Sequence, residues 1–278
     1  MPRKAPIVVG IASDTHANST IGLCPPEGVQ LDDGGIYQPS PPQAWLWDCW
    51  DQFWKKVQER RRALRGDLYC VYNGDAVDGD HHQTSQIISR NLEVQAYVAE
   101  RVFSAPKALR PERAFMVRGT EAHVGPSASA EENLARHLGC ERDPLTRNWT
   151  WWELDLIAHD RLLNFQHHCS VSGLPWTAPG GIARLAFRIW VERMAAGERV
   201  PDLAVRSHIH HYLDSFGAHP TRAIVTPAFQ LKTAHAHKVV PESAADIGGL
   251  IVTAWPDRPL DVEAVRFRPR RPAPWRAA

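Results

Sequence analysis

Aspartates and histidines stand in short motifs directly after apolar stretches of the sequence. "IASDTH" places Asp14 and His16 after the first apolar run. "VYNGDAV" places Asp75 after the second, and "RSHIH" places His208 and His210 after a later one. Carboxylate oxygens and imidazole nitrogens are common ligands of divalent metal ions. These residue types at these places therefore predict a metal site.

The acidic stretch "DAVDGDHH" (residues 75–82) indicates more than one cation. Neighbouring carboxylates raise one another's pKa unless a cation lies between them. In two-metal hydrolases, one aspartate can bridge ions that are about 3.5–4 Å apart. We predict that Asp75, directly after a glycine turn, is this bridge. Asp78 is predicted to support catalysis from beside the ions, by orienting a histidine ligand or by capping the turn.

The pair His208 and His210 has the same i, i+2 spacing as Asp14 and His16. In an extended chain, residues at this spacing point to the same side. Each pair could therefore bind one ion from one side. In the irregular turn after a strand, the two histidines could instead reach two neighbouring ions.

The apolar runs before these motifs are typical of buried strands, and the amphipathic stretches between them indicate helices. Strands with the polar residues that end them are predicted in residues 6–13, 67–77, 113–125, 149–168 (two strands) and 201–211. Helices are predicted in residues 43–65, 86–103, 129–139 (with a capping box from Ser129 to Glu132) and 181–196. Since strand ends in such folds meet at one edge, the motifs are expected to share one cleft. The order of elements favours sheets inside and helices outside.

The motifs follow the order Asp-x-His, Gly-Asp-x-x-Asp, a strand ending in glycine, His, and His-x-His. They span residues 14–210, and this order resembles the calcineurin-like metallophosphoesterases, also called purple-acid-phosphatase-like proteins. The resemblance implies an α/β fold, a four-layer α/β/β/α sandwich of two mixed β-sheets flanked by helices. By position, it implies these metal ligands: Asp14, His16 and His210 for the first ion, Asp75 between the ions, and His167 and His208 for the second. His168 stays open as the alternative to His167.

The third motif departs from the family, whose usual form is Gly-Asn-His-Asp or Gly-Asn-His-Glu. Here Thr120 follows Gly119 at the position of the asparagine ligand, and Glu121 stands at the position of the histidine. Glu121 is a candidate oxygen donor in place of the missing amide. His123, two residues further on, is a candidate acid for the leaving group. The catalytic candidates are therefore His123, Glu121 and Asp78.

This pattern predicts a metal-dependent phosphoric ester hydrolase. Two divalent ions, chosen from manganese, iron, zinc and nickel with manganese favoured, are expected to activate a water that attacks phosphorus. The predicted substrate is a phosphodiester, either a nucleotide or a nucleic acid. The alternatives are a phosphomonoesterase, or a catalytically weak or inactive binding protein of the same fold, which the altered third motif favours.

Composition places the chain among ordinary globular proteins. It has 278 residues, a net charge of +1 and 44% hydrophobic residues, so it is no strong polyelectrolyte. We predict one domain over residues 1–267, with a long loop at 20–43, and a basic, proline-rich, flexible tail at 268–278. Five scattered cysteines argue against a disulfide framework. We predict a cytoplasmic protein without a membrane span. The sequence does not determine the oligomeric state.

Overall fold

Two β-sheets face one another, and helices cover the outer face of each. This architecture is that of a computed structural model, which describes residues 4–81, 84–172, 174, 176–269 and 274–276. The strands are β1 (Ile7–Ala12), β2 (Val29–Gln30), β3 (Ile36–Tyr37), β4 (Asp67–Asn73), β5 (Arg113–Val117), β6 (Thr150–Trp151), β7 (Leu154–Ala158), β8 (Arg161–Phe165), β9 (Leu203–Arg206), β10 (Leu213–Asp214), β11 (Arg222–Val225), β12 (Ile247–Ala254) and β13 (Asp261–Phe267). The helices are α1 (Pro41–Leu64), α2 (Leu92–Ala108), α3 (Glu121–Val124), α4 (Ser129–Leu138), α5 (Ala178–Ala195) and α6 (Ala234–Val239).

Both large sheets are mixed. The first has the strand order β13-β12-β1-β4-β5-β6, and the second has the order β10-β11-β9-β8-β7. In the first sheet, β1, β4, β5 and β6 are parallel. β12 pairs antiparallel with β1, and the edge strand β13 pairs antiparallel with β12. In the second, β8, β9 and β11 are parallel, with antiparallel β7 and β10 at the edges. The predicted four-layer α/β/β/α sandwich is confirmed.

Alternating side chains along the strands divide the core into layers. On β1, Val9 and Ile11 lie between the two sheets, whereas Val8 belongs to the cluster under α1. On β9, Val205 lies between the sheets and Ala204 packs in the cluster with α5. Fully burying an aliphatic side chain of this size is worth about 1.5–3 kcal/mol, so these contacts fix how the two sheets lie against each other. The carboxyl ends of their parallel strands consequently meet along one edge.

Helix α1 confirms the predicted helix at 43–65 and begins two residues earlier. The Ser40 side chain accepts a hydrogen bond from the Gln43 amide, and the Gln43 side chain accepts one from the Ser40 amide. This reciprocal capping box satisfies backbone donors at the helix start. The helix ends at Arg65, which has a left-handed conformation (φ 50°). Its apolar face, including Trp50 and Phe53, is fully buried against the first sheet.

Helix α2 begins at Leu92, six residues after the predicted start at 86. The reason is the side chain of Asn18, whose Oδ1 accepts a hydrogen bond from the Ser89 amide and whose Nδ2 donates to the Ser89 carbonyl. These bonds take the place of helical ones, so the segment before Asn91 stays irregular. Asn91 then caps the helix by accepting from the Glu93 amide at 2.9 Å.

Helix α4 has the predicted extent and ends at Gly139, whose φ is 70°. The predicted capping box from Ser129 to Glu132 is wrong, because Ser129 is already inside the helix and Ala128 precedes it without a side-chain cap. The Glu132 carboxylate instead accepts hydrogen bonds from the Trp149 and Thr150 amides. It therefore ties α4 to β6 rather than closing its own helix.

The long segment at 20–43 is not uniformly irregular, because it contains the short hairpin of β2 and β3. Its residues Leu23, Cys24 and Val29 are fully buried in the cluster under α1. Within the described part of the chain, none of the helices combines the length and apolar character that a membrane span requires. His82 and most of the predicted flexible tail at 268–278 lie outside the described residues.

Candidate metal centre

Five loops at the carboxyl edge of the sheets bring the predicted site residues together. They follow β1, β4, β5, β8 and β9. Backbone hydrogen bonds join the first two loops, since the Asp14 amide donates to the Gly74 carbonyl at 2.9 Å and the His16 amide donates to the Asp75 carbonyl at 3.0 Å. The last two are joined by the Ser207 amide, which donates to the His167 carbonyl at 2.9 Å. Side chains from both sheets therefore face one small volume.

Left-handed backbone conformations are concentrated in these loops. A positive φ costs a residue with a side chain about 1–2 kcal/mol, and such strain clusters at functional sites. Five predicted ligands have it: Asp14 (50°), His16 (41°), Asp75 (52°), His208 (78°) and His210 (55°). The surrounding hydrogen bonds hold these residues in conformations that turn their side chains inward.

Two glycines allow the loops to approach one another closely. A Cβ atom on Gly74 would lie 2.4 Å from Nδ1 of His167. A Cβ on Gly119 would lie 2.3 Å from the Asp75 amide nitrogen. Gly74 also has a φ of 86°, which only glycine adopts without strain. Glycine is therefore required at position 74, directly before Asp75, and at position 119, where another loop packs against Asp75.

Asp14, His16 and His210 form the first group of metal-competent side chains. Oδ1 of Asp14 lies 3.3 Å from Nε2 of His210, and the rings of His16 and His210 have centroids 5.2 Å apart. Oδ1 of Asp14 and Nε2 of His16 are buried without a hydrogen-bond partner. An unpaired buried polar atom costs about 1–3 kcal/mol, and a cation between these two atoms would remove that cost.

Asp75 and His167 belong to a second group with Asp14, and the ring of His208 is adjacent. Oδ2 of Asp75 lies 3.0 Å from Nε2 of His167, 3.9 Å from Nδ1 of His208 and 4.0 Å from Nε2 of His16. Asp75 thus lies between His16 of the first group and His167 of the second. His208 faces Asp75, whereas His210 faces Asp14, so the two histidines of the His-x-His motif point to different groups.

The ring of His167 is oriented by the backbone. Its Nδ1 lies 2.8 Å from the carbonyl oxygen of Asn73, so Nδ1 carries the proton and donates it to that bond. Nε2 then faces Oδ2 of Asp75 and is the ring atom that could bind a metal ion. Metal-binding histidines are held in this way in proteins.

These groups lie at the shared edge of two mixed β-sheets, where the order of the motifs in the sequence placed them. No protein-family model and no curated protein matches the sequence.

Solved structures of similar shape include three named proteins. Sulfate thiohydrolase SoxB from Thermus thermophilus is 12% identical with a TM-score of 0.46, and the match covers 96% of this chain and 57% of that one. A dimetal phosphatase from Danio rerio is 9% identical with a TM-score of 0.45, covering 93% and 99%. A 5'-nucleotidase precursor from Thermus thermophilus is 12% identical with a TM-score of 0.42, covering 94% and 55%. This chain spans little more than half the length of the two Thermus chains.

Asp78 is the centre of a histidine cluster beside these two groups. Its Oδ1 lies 2.7 Å from Nδ1 of His123, 3.1 Å from Nε2 of His81 and 3.4 Å from Nδ1 of His16. The bond to His16 leaves Nε2 of that ring directed at Asp75. Asp78 therefore orients a candidate ligand and the candidate acid together, which the sequence analysis anticipated only for a ligand.

His123 and Glu121, the two acid candidates of the third motif, are placed differently. His123 lies on the short helix α3, with its ring edge against His16 at a centroid distance of 4.6 Å. Glu121 is exposed at the start of the same helix. Among the described residues, Glu121 is in none of the metal-competent groups. The predicted role of its carboxylate in place of the missing amide stays a prediction.

The charge of the site calls for a cation. Burial raises the pKa of Asp14, but His210 and His167 outweigh it and lower the pKa to about 2. Burial would likewise raise the pKa of Asp75, yet His167 holds it well below its usual value. Burial lowers the pKa of His167, but the carboxylates of Asp75 and Asp14 outweigh burial and raise the pKa to about 10. Buried, ionised carboxylates thus require positive charge, from imidazolium protons or from metal ions.

The sequence analysis missed Glu131 on α4, a fully buried carboxylate beneath the site. Its two oxygens accept hydrogen bonds from the Gly119 amide at 2.7 Å and the Ala76 amide at 3.0 Å. Burial and the charge of Asp75 raise the pKa of Glu131 to about 7, against the effect of the two amides. Glu131 joins the second and third motif loops. The only sequence signal was an acid on the apolar side of an amphipathic helix.

We expect Glu131→Gln to weaken both folding and metal binding. In the variant, the side-chain oxygen of the glutamine still accepts a hydrogen bond from one backbone N–H, but its NH2 group faces the other. That second N–H loses a charge-assisted hydrogen bond, which is worth about 1.5–3 kcal/mol. Metal affinity is expected to fall about 10–100-fold, as for other residues that hold ligands in place. Thermal melting and metal titration measure the two effects. Glu59→Gln, at an exposed position on α1, is the matched control, and equal behaviour of both variants would contradict the role of Glu131.

A cleft of about 910 Å³ adjoins the site on the side of His168. Its wall includes Asn164 and Arg206 from the second sheet and Arg193 from α5. Arg206 is buried and donates a hydrogen bond to Asn164 at 2.8 Å. Arg193 forms ion pairs with three acids of the same wall, Glu153, Asp155 and Glu198, at 2.7, 3.0 and 2.8 Å. The cleft is large enough for a small organic ligand, and acids balance the charge of its arginines.

Proposed function

We propose that this protein is a dinuclear metal-dependent phosphoesterase that hydrolyses a phosphodiester, either a nucleotide or a nucleic acid. The observation that carries the proposal is Nε2 of His16, which is buried without a hydrogen-bond partner beside the ionised carboxylates of Asp14 and Asp75. An unpaired buried polar atom costs about 1–3 kcal/mol, and a cation bound by these side chains would remove that cost.

The donor set fits two divalent ions. We assign the ligands as follows: Asp14, His16 and His210 to one ion, Asp75 to both, and His167 and His208 to the other. Mixed oxygen and imidazole donors suit manganese, iron, zinc or nickel, and we favour manganese. When bound, such ions supply charge neutralisation at phosphorus and a water of lowered pKa.

The chain itself supplies proton transfer and orientation. His123 is held by Asp78 through Nδ1 at 2.7 Å, which leaves Nε2 available to the leaving group. Burial lowers the pKa of His123, but the hydrogen bond to Asp78 outweighs burial and raises the pKa above its ordinary value, which favours the protonated ring. A protonated imidazole can act as the general acid that assists departure of an alkoxide.

The preference for a diester is supported by the cleft next to His168. A volume of about 910 Å³ accommodates a second organic group on phosphorus, which a simple phosphomonoester lacks.

The test compares hydrolysis of bis-p-nitrophenyl phosphate and p-nitrophenyl phosphate by metal-free protein and by protein reloaded with manganese. We expect metal-dependent turnover with faster diester cleavage. Faster monoester cleavage would replace the diester proposal with a phosphomonoesterase. Protein that binds no metal and stays inert with added manganese would be the inactive binding protein, as the threonine at position 120 would allow.

A further inference from the structure

We propose that His168 is a ligand of the second metal ion and replaces the amide that Thr120 does not provide. This assignment rests on the proposed two-metal function and adds a ligand to it. In the sequence analysis, His168 was only an alternative to His167. The structure instead places both imidazoles beside the same group of atoms.

Three imidazole rings form a nearly regular triangle. The ring centroids of His167 and His168 are 5.0 Å apart, those of His167 and His208 are 5.2 Å apart, and those of His168 and His208 are 5.1 Å apart. One nitrogen of each ring lies within 4.8 Å of the others. Such a convergence of three imidazole donors is typical of a metal site.

The Thr120 hydroxyl marks the point on which these rings converge. Its Oγ1 lies 3.4 Å from Nε2 of His167, 3.3 Å from Nε2 of His168 and 3.2 Å from Nδ1 of His208. It also donates to Oδ2 of Asp75 at 3.2 Å. The side chain that replaces the asparagine therefore stands among donors of the second group, and His168 is one of them.

The chemistry favours the imidazole over the hydroxyl. A neutral threonine oxygen is a weak donor to a divalent ion, whereas imidazole suits zinc, iron and nickel and is accepted by manganese. With His168, the second ion would have Asp75, His167, His208 and His168 as donors, so the loss of the amide leaves no vacancy. An active centre can thus coexist with the altered third motif.

A bend at His167 lets two successive side chains face the same place. His167 and His168 follow β8 after Gln166, and both rings contact the Thr120 hydroxyl, with their planes at 88° to each other. His167 is buried, whereas His168 is exposed and borders the cleft. His168 would therefore carry the ion on the side from which substrate enters.

The test measures metal binding directly. Wild type, His168→Ala and the double variant Thr120→Asn/His168→Ala are stripped with chelator and titrated with manganese or zinc by calorimetry, and bound metal is counted by mass spectrometry. We expect two ions in wild type. In His168→Ala the second ion should bind on the order of 100-fold more weakly. Loss of a residue that only holds a ligand in place weakens metal binding by about 10–100-fold, so loss of a ligand should reach the upper end of that range. The double variant should regain the second ion, because an amide returns to position 120.

His235→Ala is the matched control, since His235 is an exposed histidine on α6. It should bind two ions as wild type does. Unchanged affinity for the second ion in His168→Ala, with two ions in wild type, would overturn this assignment and leave the proposed function standing. Wild-type protein that binds fewer than two ions would overturn both.

Discussion

Asp75→Asn is expected to lower phosphoester hydrolysis by about 10³-fold or more, the effect of removing a key electrostatic group from an active site. Oδ2 of Asp75 lies 3.0 Å from Nε2 of His167 and 4.0 Å from Nε2 of His16, so one carboxylate serves both groups of donors. An amide keeps the shape and one oxygen but removes the negative charge. Both ions should then bind more weakly, and turnover should not recover at high manganese concentration.

The fold should survive this substitution. The remaining side-chain oxygen of the asparagine can still accept the hydrogen bond from the Thr120 amide, which measures 2.6 Å in the wild type. Loss of the negative charge also removes repulsion from the neighbouring Asp14. Circular dichroism and thermal melting check the fold, while steady-state kinetics and metal counting check the site.

Asp80→Asn is the matched control, because Asp80 lies in the same loop and forms an exposed ion pair with Arg90 at 3.1 Å. It should retain activity and both ions, since exposed pairs contribute little. Turnover by Asp75→Asn equal to that of Asp80→Asn would rule out the bridging role.

The regular elements could be predicted because they depend on local pattern and burial. The apolar run at 6–13 became β1, and the stripe of Leu46, Trp50, Phe53 and Val57 became the buried face of α1. Burial on both faces requires a continuous apolar strand, and burial on one face requires helical spacing. The failures came where a distant side chain competes with the local pattern. Asn18 holds Ser89 out of α2, and no spacing within residues 86–103 carries that information.

The candidate site could be predicted as a set of strand ends but not as a set of contacts. Which strand ends meet follows from parallel pairing, and the order of motifs indicated it. The direction of each side chain depends on φ values such as 78° at His208, which residue type does not determine. For the same reason, the sequence could not separate His167 from His168, or show that Asp78 holds three histidines.

Glu131 is a further example, and its interaction explains why it was missed. A buried acid is expected to pair with a cation, and acids on helices are commonly exposed. Glu131 instead accepts two backbone N–H groups, from Gly119 and Ala76, which lie in loops of other strands. Every residue except proline has a backbone N–H, so residue types do not indicate which of these groups will lie near a buried acid. Such partners can be found only when the tertiary structure is known.

The second large effect is expected for His123→Ala, and it depends on the leaving group. A general acid contributes about 10²–10⁴-fold when the departing oxygen needs a proton. Cleavage of an alkyl phosphodiester, such as a dinucleotide, should therefore slow by about that factor. Cleavage of bis-p-nitrophenyl phosphate should slow much less, because p-nitrophenolate departs without protonation.

This contrast separates an acid from a residue that only supports the site. His123 contacts both Asp78 and the His16 ring, so its removal could also disturb a candidate ligand. A supporting role would slow both substrates alike and would lower metal content. Exposed His237→Ala on α6 is the control for loss of a histidine as such. If His123→Ala slows both substrates equally, His123 is not the acid, and the proton must come from another group at this edge of the sheets.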